Sequence, residues 1–211
     1  MSLTEGLQRG SAALGLDLSS GKREKLLAYI AMLSKWNRTY NLTAIRDEHE
    51  MLTHHLLDSL AVLAVVGESA LAGRSWADVG SGAGLPGIPL AIVCPDLGMT
   101  SIEAVEKKAA FQRQAKIELG LENLTVDNRR VEQVPGACFD AVISRAFAEL
   151  ADFVSLAGHL PNSTGRLYAM KGTIPDEEIK RLPSDWVLRE TLPLHVPGLD
   201  AQRHLLVLEK A

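Results

Sequence analysis

Apolar positions in the first seventy residues recur at three- and four-residue steps. Between Lys22 and Trp36 they are Leu26, Leu27, Ile30, Leu33 and Trp36, the stripe of one helix face. Ser19 or Ser20 can cap that helix, since a hydroxyl satisfies a free N–H of the first turn. Met51, Leu52, Leu56, Leu60 and Leu63 predict a second helix from about Glu48 to Val66. After Gly73 the texture changes. Short runs rich in β-branched residues at Ser75–Val79, Met99–Ala104, Leu124–Asp127, Asp140–Ser144 and Arg166–Met170 read as strands. Pro86–Val93, Glu106–Leu119 and Glu149–Leu160 read as the helices between them. Such alternation predicts βαβ units in a parallel sheet with helices on both faces, a doubly wound α/β fold. Trp186–Val196 and Arg203–Leu208, joined by Pro197-Gly198-Leu199-Asp200, form a terminal hairpin in this reading. No internal repeat interrupts the pattern. The chain divides into a helical region over residues 1–70 and a sheet domain over 71–211.

Candidate chemistry concentrates in Asp78-Val79-Gly80-Ser81-Gly82-Ala83-Gly84-Leu85-Pro86-Gly87, between the end of a strand and the start of a helix. Glycines there let the main chain take positive φ and approach a ligand closely. In open α/β sheets the ligand crevice lies at the carboxyl ends of the strands, where this turn falls. Gly82-Ala83-Gly84-Leu85-Pro86-Gly87 satisfies the dinucleotide pattern, and Glu103, 19 residues beyond Gly84, suits a ribose hydroxyl. Asp78, two residues before Gly80, points instead to an acidic-x-G-x-G-x-G motif like that of S-adenosylmethionine enzymes. In those enzymes the acid supports the cofactor's cationic end. Lys107 and Lys108 open a helix, an unfavourable end for cations unless a phosphate is nearby. Arg129, Arg130, Val131 and Glu132 follow the third strand, Arg145 and Phe147 the fourth, and Lys171-Gly172 the fifth.

These stretches resemble the bacterial ribosomal RNA small-subunit methyltransferase G family, also called glucose-inhibited division protein B. The likeness is carried by Trp36-Asn37-Arg38-Thr39-Tyr40-Asn41-Leu42-Thr43-Ala44-Ile45, His54-His55-Leu56-Leu57-Asp58-Ser59, Asp78 through Ile92, Ile143-Ser144-Arg145-Ala146-Phe147 and Ala169-Met170-Lys171-Gly172. It spans about Leu26 to Lys210. The resemblance implies a Rossmann-like class I S-adenosylmethionine methyltransferase sheet ending in an antiparallel hairpin, behind the helical region. It also implies methylation of N7 of a guanine in 16S ribosomal RNA, with the RNA or the small ribosomal subunit as partner. Cofactor contacts then fall on Gly80, Leu85, Val131, Glu132 and Arg145, joined by Asp78, Gly82, Gly84 and Glu103 on the physical argument. Ala104 stands where many relatives have Ser, which removes a hydroxyl contact at that position. RNA contacts are assigned to Arg38, Asn41, His55, Lys107, Arg130, Phe147, Lys171 and Arg203, and any side-chain role in the chemistry to Arg145 and Lys171. Phe147 has two readings, stacking on the base or core packing. Arg145 has three: the cofactor carboxylate, guanine O6 alone, or a phosphate. Asn41-Leu42-Thr43 reads as a cap for the following helix, and His54, His55 and Asp58 as surface residues.

Composition changes this picture little. Of 211 residues, 46% are hydrophobic and 23% charged, an ordinary globular balance. A net charge of −4 excludes a protein that coats nucleic acid indiscriminately, and leaves room for a local basic patch. No secretory signal or membrane-length apolar run is visible, so the sequence predicts a soluble, cytoplasmic monomer. Cys94 and Cys138 lack metal or redox spacing and read as buried hydrophobes. His54, His55 and Asp58 make a poor metal site, because adjacent helical residues point about 100° apart, and no metal is expected. Two rival functions remain at this level: a nicotinamide-dependent oxidoreductase, opposed by Asp78, and an RNA-binding module without activity, opposed by the intact glycine motif.

Overall fold

The computed structural model describes all residues 1–211. The helical region comprises α1 (Leu3–Ala13), α2 (Ser20–Tyr40), α3 (Glu48–Met51), a π-helical turn (Leu52–Leu57), α4 (Asp58–Val66) and α5 (Glu68–Leu71). Ser2 and Glu5 cap α1 reciprocally, and Ser19 caps α2 by accepting from the Lys22 N–H at 3.4 Å. The expected helix over Glu48–Val66 is present, with the π turn inserted at its centre.

The sheet contains β1 (Ser75–Val79), β2 (Gly98–Ile102), β3 (Leu124–Asp127), β4 (Phe139–Ser144), β5 (Pro161–Lys171), β6 (Trp186–Pro193) and β7 (His204–Lys210). Helices α6 (Gly87–Val93), α7 (Glu106–Leu119), α8 (Leu150–Ala157) and α9 (Asp176–Lys180) lie between them. Strand order is β3-β2-β1-β4-β5-β7-β6. Strands β1 to β5 are parallel, and β7 runs antiparallel between β5 and β6. Bounds shift at several ends. Helix α6 begins at Gly87, with Pro86 as its cap, β2 stops at Ile102, and β5 starts at Pro161 because Pro161 pairs with Phe139 across a bulge.

The two faces follow the period of two along each strand. Trp76, Ala141 and Ile143 face a cluster of 41 buried residues that also contains Leu7, Leu33, Leu56, Leu90 and Phe111. Ala77, Val79 and Val142 face a second cluster of 17 residues around Leu150 and Phe153. Residue 70 falls inside α5, ahead of the first strand at Ser75, and the larger core runs without a break from α1 to β7. Of the two cysteines, Cys94 is buried as expected and Cys138 is exposed, a departure set by its place in the loop before β4.

Candidate active site

The glycine turn bridges β1 and α6, with Gly80, Gly82 and Gly84 all at positive φ (66°, 60° and 85°). Two of the three glycines are fixed by packing. A Cβ on Gly80 would lie 2.8 Å from the Ala146 methyl, and one on Gly84 would overlap the Ile88 side chain. Gly82 differs: a Cβ there would meet only the Gly80 carbonyl at 3.9 Å, so open space lies above it.

Groups far apart in sequence hold this turn in place. Tyr29 of α2 donates its hydroxyl to the Ala83 carbonyl at 2.8 Å. Gln112 of α7 donates to Ser81 Oγ and to the Gly82 carbonyl, each at 2.8 Å. Glu103 is buried and accepts from the N–H groups of Gly82 and Val105 at 2.7 and 2.8 Å. Asp78 accepts from the Gly87 N–H at 2.8 Å through Oδ2, while its buried Oδ1 has no partner. Burial pushes the Asp78 carboxyl up to about 7, against the opposing pull of the Gly87 N–H and Arg145. Burial likewise pushes the Tyr29 hydroxyl well above its ordinary range. Sequence reasoning missed Tyr29 and Gln112. The available signal was weak: Tyr29 lies three residues after Leu26 and four before Leu33, on the core face, with a polar tip that needs a partner.

Two cavities open at the carboxyl end of the sheet. The smaller, about 170 Å³, is floored by Gly80, Ser81, Gly82, Ala83 and Leu85 and walled by Leu42 and Thr43. The larger, about 400 Å³, is bordered by His54, Asp58, Lys171, Gly172 and Arg203. Arg145 and His55 line both, so the cavities abut at these two side chains. Arg145 directly follows β4, where Ser144 Oγ donates to the Val79 carbonyl at 2.7 Å and accepts from the Ala146 N–H at 3.1 Å. That pair of bonds sets the direction in which the chain leaves the sheet.

The expected surface histidine and aspartate are corrected here. His55 and Asp58 are buried, because this side of the helical run packs toward Arg145 after β4 and Arg203 before β7. Asp58 accepts from Arg145 Nη1 through Oδ2 at 3.0 Å and from Arg203 Nε through Oδ1 at 3.1 Å. Arg145 Nη1 also donates to the His54 carbonyl at 3.1 Å. His55 Nε2 lies 2.9 Å from Thr43 Oγ1, and its Nδ1 is buried without a partner. Burial, reinforced by Arg145, pushes the His55 imidazole down to about 4. The ring is therefore neutral at neutral pH, with Nδ1 buried and Nε2 engaged by Thr43.

The N-terminal motif is also explained locally. Asn41 adopts the left-handed conformation and ends α2, so it does not cap the following helix, whose cap is Asp47. Asn37 donates to the Ile45 carbonyl at 3.0 Å and accepts from the Thr43 N–H at 2.9 Å, which folds residues 41–45 back toward His55.

Other nominated residues fall in different settings. The Phe147 ring stacks on Phe153 at 5.1 Å between centroids, which is the core-packing reading. Lys171 donates to the carbonyls of Phe147 and Ala148 and to Glu178, so its ammonium serves the protein's own loop. Val131 is buried at the start of a short 3-10 turn, and Glu132 is exposed beside it. Arg38, Lys107 and Arg130 are exposed and line neither cavity.

A parallel sheet of this order, closed by an antiparallel strand and carrying its clefts at the strands' carboxyl ends, is the class I S-adenosylmethionine methyltransferase fold. TrmN from Thermus thermophilus superposes with a TM-score of 0.58 at 20% identity, over 76% of this chain and 53% of that one. An S-adenosylmethionine-dependent methyltransferase from Aquifex aeolicus superposes with a TM-score of 0.55 at 16% identity, over 75% and 92%. Sequence narrows the class. The chain belongs to the rRNA small subunit methyltransferase G family, whose model matches residues 22–206. Relatives named ribosomal RNA small subunit methyltransferase G are 57% identical in Azoarcus sp. strain BH72, over 97% of this chain and 95% of that one. The Neisseria meningitidis FAM18 relative is 52% identical over the full length of both chains.

Proposed function

We propose that this methyltransferase binds S-adenosylmethionine in the smaller cavity and methylates N7 of a guanine in 16S ribosomal RNA placed in the larger one. The observation that carries the reading is the junction of the two cavities at Arg145 and His55. The smaller cavity fits the cofactor on two grounds: open space above Gly82 and the buried Glu103 carboxylate that holds the Gly82 N–H. The buried Asp78 Oδ1, at the end of the strand that leads into the turn, is left without a partner. When bound, the cofactor supplies an electrophilic methyl group on a sulfonium.

The residues around the junction are suited to placement. Guanine N7 has a lone pair and no proton to lose, so methylation there requires no general base. His55, neutral and bonded to Thr43, is not presented as one. Arg145 has its Nη1 occupied by Asp58 and the His54 carbonyl, which leaves Nη2 and Nε for guanine O6 while N7 stays free to react. A bidentate grip on both O6 and N7 would block the reacting atom. Holding the base in line is worth up to about 7–11 kcal/mol in well-oriented systems.

The test joins binding and product. Calorimetry should show S-adenosylmethionine binding and no NAD binding. Ribosomal RNA from a strain lacking the gene should gain one N7-methylguanine when the purified protein and cofactor are added. NAD binding, or an RNA left unmodified, overturns the reading.

A further inference from the structure

The larger cavity carries more positive charge than its own carboxylates cancel. Arg145, Arg203 and Lys171 border it. Lys171 is matched by Glu178 at 2.9 Å and by two carbonyl oxygens, which uses its three ammonium donors. Asp58 alone is shared by the two arginines. Three cations and two carboxylates leave one unit of positive charge.

The unspent donors are as specific as the charge. Arg203 bonds Asp58 through Nε and the Gln202 carbonyl through Nη1 at 2.9 Å, and its Nη2 bonds nothing in the protein. The side chains of Arg145 and Arg203 are each 28% exposed, whereas that of Asp58 is 3% exposed. The carboxylate thus anchors from below, and free guanidinium edges face the cavity. A group with one negative charge and two outward oxygens is the complement of that edge, because guanidinium donors match phosphate geometry. A nucleobase edge would leave the charge unmatched.

We propose that Arg203, held by Asp58 as a positioning residue, forms a subsite for a single phosphodiester of the RNA next to the target nucleotide. This rests on the RNA-methyltransferase reading. Arg203 suits the task better than Arg145, because it lines only the larger cavity and lies outside the cofactor cavity. Its place is set by the β5–β7 register, in which Lys171 pairs with His204, the residue after Arg203. The subsite therefore has a fixed distance from the strand ends that carry Arg145 and Lys171.

The experiment uses the full chain, saturating S-adenosylmethionine and an RNA hairpin containing the target guanine. Each phosphate near that guanine is replaced in turn by a neutral methylphosphonate. The wild type should show one dominant position, costing roughly tenfold or more in affinity, as for loss of a charge-assisted bond. That position should become silent in Arg203→Met, whose cofactor affinity should equal the wild type's. The slope of log affinity against log salt should fall by about 0.7 in the variant, the share of one phosphate on single-stranded RNA. A uniform methylphosphonate profile in the wild type overturns the subsite whether or not the variant folds. So does a dominant position that Arg203→Met still feels. If a position is silenced yet the wild type leaves the guanine unmethylated, the subsite stands and the substrate reading falls. If methylation proceeds and no position is silenced, the subsite falls alone.

Discussion

Gly82 and Gly84 share a backbone conformation but differ in their surroundings, so substituting each tests a different thing. Gly84 is fixed by the Ile88 side chain, and a change there is a packing defect. At Gly82 the added side chain enters open space, which is the proposed cofactor site. Gly82→Val should abolish S-adenosylmethionine binding while circular dichroism still reports a folded chain. Wild-type affinity in the folded variant would remove the loop from the site. Arg145→Lys should lower the single-turnover rate on the order of 10–100-fold, because a point charge loses the planar fork that fixes orientation. His55→Gln should change stability or RNA affinity more than that rate, since His55 is bonded to Thr43 and neutral. A rate that rises log-linearly from about pH 6 to 8 and loses this slope in the His55 variant would make the histidine the base.

Asp78 has a thermodynamic consequence at the same scale. Its folded-state carboxyl titrates near 7 against an ordinary 3.8, so the folded chain holds a proton there that the unfolded chain has released. Its contribution is most favourable below about pH 4 and is lost as pH rises toward 7, by an amount on the order of 4 kcal/mol. His55 has the opposite slope: its imidazole is pushed down from 6.5 to about 4, so stability is lost as pH falls through that window. The two trends oppose each other in the wild type, and a variant separates them. Relative to wild type, Asp78→Asn should gain stability steadily from pH 4 to 7 in urea melts, because Asn carries no charge to bury. A pH-independent difference would show that Asp78 is not the titrating group.

Among elements, α2 does more than cover the sheet. Through Tyr29 it reaches the glycine turn that ends β1, and through Asn37 it shapes the segment that carries Thr43 to His55. Tyr29→Phe keeps the ring and leaves the Ala83 carbonyl without its hydroxyl partner. The expected cost is about 1–3 kcal/mol of stability, together with weaker cofactor binding as the loop loosens. Unchanged cofactor affinity in a destabilised variant would confine Tyr29 to packing. The π turn and the start of α4 likewise bring His54, His55 and Asp58 to the border of the larger cavity.

For the molecule as a whole, the helical region and the sheet share the 41-residue cluster, from Leu7 to Leu205. A fragment of residues 71–211 would expose that face and lose Tyr29 and Asp58 together. It should be recovered unfolded or aggregated, without cofactor binding. A soluble fragment that binds S-adenosylmethionine would show that the sheet domain is self-sufficient. The −4 net charge also locates the RNA problem: attraction must come from local sites such as the cavity's single excess charge, because the overall field opposes RNA.

The sequence by itself determined the features that local rules can express. A period of two or of 3.6 is written in neighbouring residues, so the α/β alternation, the terminal hairpin and the placement of β1, β3 and α7 were legible. The glycine turn was legible for the same reason, since positive φ is a property of single residues. What only the tertiary structure decided depends on partners distant along the chain. Asp58 meets Arg203 across 145 positions, and Tyr29 meets Ala83 across 54. Lys171 is matched by Glu178, and Phe147 is packed on Phe153, partners that helical and strand spacing did not reveal. Burial and charge pairing are through-space quantities, set by which strands lie side by side. Helical spacing alone made Asp58 a surface residue, and the fold placed it beneath both arginines.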